Sequence, residues 1–256
     1  MSTPVSVVLI ARNAERTLAR CLASTVGFDD VVMVDTGSTD ATLAIAARYP
    51  HVRVLHETFE DFSANRNAAA ACARHDWVCP LDTDEWFDPV LAAQLQAFKP
   101  ASDRQVHAFW RYNWFLGRRL RSKLGREWIR RVYHRQQVQF VGAVHERLVR
   151  VDGGARPAVA RLPGHVGHDP YASVGHLFEK RWTYARPDLR KVKAAHPAVA
   201  SLRALWRFLR GWLMAGGFID GWRGFVLASA DAYGVFLKYV WGYAARKASA
   251  ERTQGA

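Results

Sequence analysis

An acidic cluster stands where an apolar run gives way to polar residues. The run from Trp77 to Leu81 predicts a short strand, and Asp82-Thr83-Asp84-Glu85 follows it directly. Two carboxylates separated by one residue on a turn can face the same cavity. Mg²⁺ and Mn²⁺ take oxygen ligands and commonly keep coordination sites for water and substrate phosphates. The cluster is therefore a candidate site for a metal that bridges to a diphosphate, although most such tripeptides are solvated turns.

Another carboxylate, Asp35, follows a second apolar run. Val31 to Val34 predicts a strand, and Asp35 stands at its carboxyl end with small polar residues behind it. In open α/β sheets, ligands bind beyond the carboxyl ends of the strands. We therefore expect Asp35 and Asp82 to lie at one edge of one sheet, where a ligand would bind.

The elements that position these residues follow from the hydrophobic pattern. The first hundred residues alternate between strand and helix patterns, which predicts βαβ units and a mostly parallel sheet. Strands are predicted at 5–10, 31–34, 52–55 and 77–81, and helices at 15–24, 39–49 and 63–74. Further strands are predicted at 106–114, at 130–134 and at 136–150, the last interrupted at Gly142, with irregular connections around Gly153, Gly154, Pro157, Pro163 and Gly164.

After Pro197 the pattern becomes helical again. Apolar residues within 202–213 share one helical face and arginines share the other, and a second apolar stretch covers 225–243. Two interpretations stay open: a pair of helices packed on the catalytic domain, or a monotopic element on a membrane surface. No apolar run reaches the roughly 18–20 residues of a membrane span, and no signal peptide is expected.

Charge is distributed unevenly. Residues 1–100 hold 8 Lys/Arg against 13 Asp/Glu, whereas residues 101–256 hold 28 against 10 and eight of the ten tryptophans. Arginine with tryptophan suits nucleic acid or an anionic membrane surface, and a solvated basic face without a partner is the third interpretation. The three cysteines, Cys21, Cys72 and Cys79, show no metal-ligand spacing, which predicts buried free thiols and a reducing compartment.

Four separated segments carry a resemblance to a known family. VSVVLIARN (5–13), VVMVDTGSTDAT (31–42), SANRNA (63–68) and LDTDE (81–85) together resemble the inverting family 2 glycosyltransferases. The resemblance implies the GT-A fold, a Rossmann-like, mostly parallel central sheet with helices on both faces. In this chain a helical C-terminal extension would follow it.

The resemblance also implies roles for individual residues. Asp35 matches the acidic residue that contacts the nucleotide base, and Asn13 would lie beside the nucleotide. Arg66 falls near the diphosphate, Asp82 near the ribose or donor sugar, and Asp84 at the Mg²⁺ or Mn²⁺ ion. Two structural alternatives stay open: Asp35 as a turn residue, and Arg66 as a surface helix residue with its stem packed down.

An inverting transfer needs a base that takes the proton from the acceptor hydroxyl. Glu146 in FVGAVHERL (140–148) is the candidate, and an ion pair with nearby arginines is its alternative role. The pattern RVY (131–133) with GxxHE (142–146), and the segment GGFIDGWRGF (216–225), resemble the lipopolysaccharide inner-core β-glucosyltransferase subgroup.

The histidines keep several interpretations. His145 could orient Glu146, touch the metal or pack in the core, and His168 could lie near the donor phosphate. His165, His168 and Asp169 could also form an acceptor or metal cluster, although the spacing is a weak zinc signal.

Together these observations predict a metal-dependent hexosyltransferase that moves glucose from UDP-glucose to a lipopolysaccharide heptose. We expect a GT-A domain at 1–195, with a nucleotide-sugar-binding half at 1–100 and an acceptor half at 101–195, followed by a basic helical extension at 196–256. The predicted location is cytoplasmic, peripheral on the inner face of the membrane, with no nucleic-acid partner. A catalytically silent membrane binder and a nucleic-acid module are the alternatives.

Overall fold

The structure is a computed structural model, and it describes residues 4–142, 146–185 and 195–254. Its first four strands are parallel and lie in the order β3-β2-β1-β4. Their bounds are β1 Val5–Ala11, β2 Val31–Asp35, β3 Val52–His56 and β4 Trp77–Pro80. The short apolar runs of the sequence therefore form one half of the sheet, with β3 at its edge.

Helices cover both faces of these strands. In β1, Val7 and Leu9 face one apolar cluster, whereas Val8 between them faces the other. The first cluster is completed by helices α1 (Leu18–Ala23), α2 (Thr42–Ala46) and α4 (Pro89–Gln96), and the second by α3 (Phe62–Ala71). A strand buried on both faces needs a continuous apolar sequence, which explains the unbroken valine-rich runs.

The sheet continues beyond β4, where the order is β8 (Arg126–His134), β6 (Val106–Phe115), β11 (Val159–His168) and β5 (Glu85–Phe87). The pairings of β4 with β8 and of β11 with β5 are antiparallel. Trp77 pairs with His134 across β4 and β8, and His168 pairs with Glu85 across β11 and β5. Strand β7 (Arg118–Arg119) pairs with β6, and β9 (Val138–Val141) pairs with β10 (Arg147–Arg150) in a separate sheet.

The predicted α/β class with helices on both faces is confirmed, but several elements differ from the sequence pattern. Helix α2 is only five residues long, and Asp40, two residues before its start, accepts the Thr42 N–H at 3.0 Å. The irregular connection predicted around Pro163 and Gly164 is wrong, since strand β11 runs through both residues. Gly164 has a φ of +86°, and a Cβ there would lie 2.4 Å from the Leu91 nitrogen.

The pattern also missed β5, α4 and a helix α5 at Val174–Ala185. Of the three cysteines expected to be buried, Cys21 and Cys79 are buried, whereas Cys72 is exposed at the end of α3.

The chain divides into two compact units. The sheet unit comprises Met1–Tyr112 and Glu127–Asp169, and the helical unit comprises Asn113–Arg126 and Pro170–Ala256. The helical unit contains α5, α6 (Pro197–Leu209) and α7 (Trp222–Gln254). The predicted boundary after residue 195 does not coincide with this division, because α5 and residues 113–126 pack with the C-terminal helices. Among the described residues, no helix is both long and apolar enough to cross a membrane.

Candidate active site

Asp82, the first residue after the β4–Leu81 run, lies between two arginines. Arg66 Nη2 donates to Asp82 Oδ1 at 2.7 Å, and Arg131 Nη2 donates to Oδ2 at 2.8 Å. Burial raises the pKa of Asp82, but Arg131, Arg66 and Arg111 outweigh burial and hold it well below its usual range. Asp82 is therefore an anion at neutral pH.

Glu85 is the buried member of the acidic cluster. Its side chain is only 1% exposed, and its Oε1 accepts from Arg111 Nη1 at 2.9 Å and from Arg131 Nη2 at 3.4 Å. Its Oε2 accepts the Asp82 N–H at 3.1 Å, which fixes the turn that carries both aspartates. Glu85 therefore has a structural role that was not predicted from the sequence.

Burial lowers the pKa of Arg131, but Asp82 and Glu85 outweigh burial and leave it raised. The pKa of Arg111 is raised in the same way by Glu85 and Glu127, the second of which lies 2.5 Å from Arg111 Nη2. These guanidinium groups stay charged and compensate the carboxylates, as buried charges require.

Arg66 joins two of the predicted site residues. It lies on α3, which begins where Asp61 accepts the Ala64 N–H at 2.8 Å, and its side chain is buried. Its Nε lies 2.7 Å from Glu146 Oε2 while its Nη2 holds Asp82. The surface interpretation of Arg66 is therefore wrong. The ion pair considered for Glu146 is present, and its role as the base stays a prediction.

Asp84 lies close to His168, next to the network of ion pairs around Asp82 and Glu85. The antiparallel pairing of β5 and β11 places His168 opposite Glu85, and the Asp169 N–H donates to the Asp84 carbonyl at 2.9 Å. As a result, His168 Nε2 lies 3.5 Å from Asp84 Oδ2. Across the described ranges, no group of three or more His, Cys, Asp or Glu side chains is arranged to hold a metal.

The histidine-rich segment does not form the cluster considered from the sequence. His165 Nδ1 lies 3.3 Å from Asp88 Oδ2, while Asp169 accepts from Arg16 Nη1 at 2.8 Å. Of the two histidines, only His168 faces Asp84, because successive residues of a strand point to opposite faces and His165 lies an odd number of positions away. The His-x-x-His-Asp metal interpretation is therefore wrong. His145 lies outside the described residues.

The predicted nucleotide contacts lie in two interlocked loops after β1 and β2. Asn13, with a φ of +50°, accepts the Thr39 N–H at 2.8 Å and donates its own N–H to Ser38 Oγ at 3.0 Å. Asp35 is buried and accepts the N–H groups of Gly37 and Ser38, each at 3.1 Å. Its turn interpretation is therefore present in the structure.

Burial raises the pKa of Asp35, but the hydroxyl and N–H of Ser38 and the N–H of Gly37 outweigh burial and lower it. The two loops are thus tied to each other at the carboxyl ends of β1 and β2, with the Asp35 carboxylate held in its charged form by the groups around it.

A sequence model described as "Glycosyl transferase family 2" matches residues 6–146, more than half of the chain. The chain belongs to this family. The match contains every site residue predicted from the sequence except His168, and with it the predicted GT-A fold class is confirmed.

Individual relatives are more distant. The chain is 30% identical over 107 residues to the lipopolysaccharide core biosynthesis glycosyltransferase LpsC of Rhizobium meliloti, covering 40% of each chain. It is 22% identical over 250 residues to the uncharacterized glycosyltransferase RT0209 of Rickettsia typhi, covering 91% of this chain and 85% of that one. The first curated relatives are matched over only 20–40% of their own length.

Among solved structures, S. aureus TarS 1–349 aligns with 99% of this chain and 92% of its own, at 15% identity and a TM-score of 0.45.

The residues present fit a divalent cation in two respects. Asp84 offers a carboxylate oxygen, the donor that Mg²⁺ and Mn²⁺ prefer when phosphates and water complete the coordination, and His168 Nε2 lies 3.5 Å from it as a second donor. In the network and beside it, five carboxylates stand against three arginines, a formal charge of −2. The carboxylates are Asp82, Asp84, Glu85, Glu127 and Glu146, and the arginines are Arg66, Arg111 and Arg131.

The arginine pair of the antiparallel strands escaped the sequence analysis. Arg111 and Arg131 hold the acidic cluster from β6 and β8, more than 25 residues away along the chain. Arg131 belongs to the RVY pattern that carried the subgroup resemblance, so its position was flagged but its partner was not. An alternating strand pattern shows which residues share a face, not which carboxylate an arginine meets.

Proposed function

We propose that this chain is an inverting, metal-dependent hexosyltransferase. Its donor is UDP-glucose and its acceptor is a saccharide, the heptose of a lipopolysaccharide inner core. The observation that carries the proposal is the sharing of Arg66 between Asp82, at the donor end, and Glu146, the expected base. Membership of glycosyl transferase family 2 supports it, and the named role of the partial relative LpsC in lipopolysaccharide core biosynthesis supports the acceptor class.

On the donor side, Asp35 and Asn13 would hold the nucleotide. The turn around Asp35 orients its carboxylate through the Gly37 and Ser38 N–H groups, so little ordering remains when a base binds. Asp82 would contact the ribose or donor sugar, and Arg66 would approach the diphosphate while it holds Asp82.

Asp84 and His168 would hold the Mg²⁺ or Mn²⁺ ion, which is a different role for His168 from the predicted phosphate contact. When bound, the metal would neutralise the negative charge that develops on the departing diphosphate. Glu85, Arg111 and Arg131 would not touch substrate; they would fix the turn that aims Asp84.

On the acceptor side, Glu146 would take the proton of the attacking hydroxyl. The acceptor oxygen then forms a bond to the anomeric carbon while the bond from that carbon to the diphosphate oxygen breaks, and the proton ends on the Glu146 carboxylate. Attack from the face opposite the leaving diphosphate inverts the anomeric configuration. Arg66 would keep the carboxylate in position through its Nε contact at 2.7 Å.

The partners in this proposal are the UDP-sugar, the lipopolysaccharide-type acceptor and an anionic membrane surface. The expected location is the cytoplasmic side of the membrane, where the chain would associate peripherally, and no nucleic-acid partner is expected. The basic composition of residues 101–256 supports contact with an acceptor that carries phosphate and carboxylate groups.

The test measures transfer and donor hydrolysis by the full chain with a panel of nucleotide sugars, with and without EDTA. We expect activity with UDP-glucose that is lost in EDTA and restored by Mn²⁺. Asp152→Asn serves as a control, since Asp152 pairs with Arg150 on the surface outside the network. Full activity in EDTA would remove the metal from the proposal. No turnover with any donor, together with intact membrane binding, would favour the catalytically silent alternative.

A further inference from the structure

The last two helices of the helical unit form an antiparallel hairpin. Arg203 Nη1 donates to Tyr239 Oη at 2.8 Å, and Arg207 Nη2 donates to Asp231 Oδ2 at 2.6 Å. Residues later in α6 thus contact residues earlier in α7. The hairpin must therefore turn near residues 210–221, through a π-helical turn at Arg210–Met214 and a 3₁₀ turn at Gly217–Asp220.

Glycines make this turn tight. Gly216 and Gly221 have φ values of +75° and +58°, which other residues adopt only with strain. A Cβ on Gly224 would lie 1.9 Å from the Gly217 carbonyl oxygen, so the start of α7 touches the turn backbone directly. Because the backbone fills the inside of the turn, the larger side chains project outward.

Those outward side chains are apolar. Six of them, between 48% and 63% exposed, lie within thirteen residues and are called the apolar tip: Leu213, Met214, Phe218, Ile219, Trp222 and Phe225. A loop tip in water is normally polar, and a contiguous apolar patch of this kind marks an interaction surface.

A basic segment is hydrogen-bonded to the same turn. Residues 113–126 contain five cations and no carboxylate, and the basic segment is defined as Arg118, Arg119, Arg121, Lys123 and Arg126, all exposed. The Asp220 carboxylate accepts the N–H groups of Arg121 at 2.7 Å and Ser122 at 3.1 Å. The Lys123 N–H donates to the Ala215 carbonyl at 3.0 Å.

A third attachment comes from Arg223, which donates to the Phe115 and Leu116 carbonyls, both at 3.1 Å. Asp220, the one acidic residue of the turn, is thus occupied by hydrogen bonds to the basic segment. The charged side chains around the tip are therefore mainly positive. Over its whole length the helical unit has 19 Lys/Arg against 5 Asp/Glu, a net charge of +14.

We infer that the apolar tip and the basic segment together dock on the surface of an anionic lipid bilayer. The tip would bury its side chains at the boundary of headgroups and acyl chains, while the cations meet lipid phosphates. A second copy of the chain fits less well, because two strongly cationic faces would repel each other. Nucleic acid fits less well too, because three of the six tip residues, Leu213, Met214 and Ile219, are aliphatic and offer no surface for base stacking.

This inference extends the proposed peripheral membrane location and names the surface responsible for it. Binding to vesicles requires neither nucleotide sugar nor metal, so it can succeed or fail independently of sugar transfer.

The test is sedimentation of the full chain with vesicles, without nucleotide sugar. Phosphatidylglycerol mixed into phosphatidylcholine should bind the protein, and phosphatidylcholine alone should bind it at least about tenfold more weakly. The tip variant Phe218→Ser, Ile219→Ser, Trp222→Ser should lose at least about tenfold in affinity for the mixed vesicles. A matched control, Val26→Ser, Val90→Ser, Val151→Ser, removes equally exposed apolar residues of the sheet unit and should bind as the unchanged protein does.

A charge variant tests the second half of the surface while leaving the tip intact. Arg118→Gln, Arg121→Gln, Lys123→Gln should lose at least about tenfold for mixed vesicles, together with the steep weakening by salt. This variant decides the matter if the tip variant fails to fold, which thermal unfolding would show.

Three results would overturn the inference. The first is binding that is equal for both vesicle types. The second is a tip variant that folds and binds normally. The third is a dimer in light scattering that becomes monomeric in the tip variant, which would assign the surface to a second copy. Asp84→Asn should bind vesicles normally, which separates this test from the test of transfer.

Discussion

The two units use arginine in opposite ways. In the sheet unit, Arg66, Arg111 and Arg131 are at most 16% exposed, and each contacts Asp82 or the nearby Glu85. In the helical unit, cations outnumber carboxylates 19 to 5 and the basic segment is exposed, whereas the sheet unit holds 17 Lys/Arg against 18 Asp/Glu. The entire net charge of the chain thus belongs to the helical unit.

This difference follows from solvation. A buried guanidinium must be compensated, so in the sheet unit the arginines become part of the architecture and tie distant strands to one turn. An exposed cation is solvated by water, so its charge can act on an anionic surface. One residue type therefore builds the candidate active site in one unit and a candidate docking surface in the other.

The largest expected effect is on transfer in the sheet unit. Asp84→Asn weakens an expected metal ligand and should lower kcat/KM for UDP-glucose by about a thousandfold, because the departing diphosphate would lose its charge stabilisation. Steady-state transfer assays with added Mn²⁺ measure this, with Asp152→Asn as the control. Loss of vesicle binding in the same variant would contradict the assignment of the two functions to separate units.

Removing one buried arginine should be nearly as costly, in stability rather than rate. Arg131→Met leaves Asp82 and buried Glu85 with fewer compensating charges, which should cost about 3–5 kcal/mol of unfolding free energy. Urea unfolding measures the loss. Arg150→Met breaks an exposed pair with Asp152 and should leave the urea midpoint unchanged. Equal effects of both variants would show that the Asp82 network stabilises the fold no more than an exposed ion pair does.

A buried histidine in the sheet unit should make stability depend on pH. Burial between Trp77 and Phe98 lowers the pKa of His107 to about 4 from an ordinary 6.5. Between pH 6.5 and about 4, His107 is protonated in the unfolded state but neutral in the folded state. Lowering the pH through this range therefore favours unfolding, by about 3 kcal/mol at its lower end. Urea unfolding from pH 7 to 4 should show this slope, reduced in His107→Phe. An identical slope in both proteins would place the titration elsewhere.

The base assignment predicts a somewhat smaller effect. Glu146→Gln keeps an oxygen for Arg66 but cannot take a proton, so kcat should fall about a hundredfold while the donor KM stays nearly constant. Transfer assays over a range of UDP-glucose concentrations separate the two parameters. A change in KM with kcat preserved would give Glu146 a binding role instead.

The smallest effect is expected for an exposed pair of the helical unit. Asp231 lies between Arg207, which is 44% exposed, and Arg181 at 2.8 Å. Arg207→Gln should therefore cost less than about 1 kcal/mol, because the carboxylate keeps its second partner and water screens the first. Thermal unfolding checks this, and a loss comparable to that of Arg131→Met would abolish the contrast between the two units.

Much of the fold could be predicted because the parallel strands are local and apolar. Runs such as Val5 to Ala11 are buried on both faces, so each predicts its strand without any knowledge of its neighbours. The antiparallel half was harder, since Pro163 and Gly164 argue against a strand unless the contact of Gly164 with Leu91 is known. That contact joins residues more than seventy positions apart.

The sequence by itself determined the α/β class, the resemblance to the family that the chain belongs to, and the expected site residues Asn13, Asp35, Arg66, Asp82, Asp84 and Glu146. These follow from residue type and local spacing.

Only the tertiary structure decided which residues lie together. Arg66 lies between Asp82 and Glu146, and His168 lies beside Asp84. The basic segment lies against the turn that carries the apolar tip. The reason is physical. Burial and hydrophobic periodicity are written in neighbouring residues, whereas an ion pair depends on how strands far apart in the chain are placed side by side.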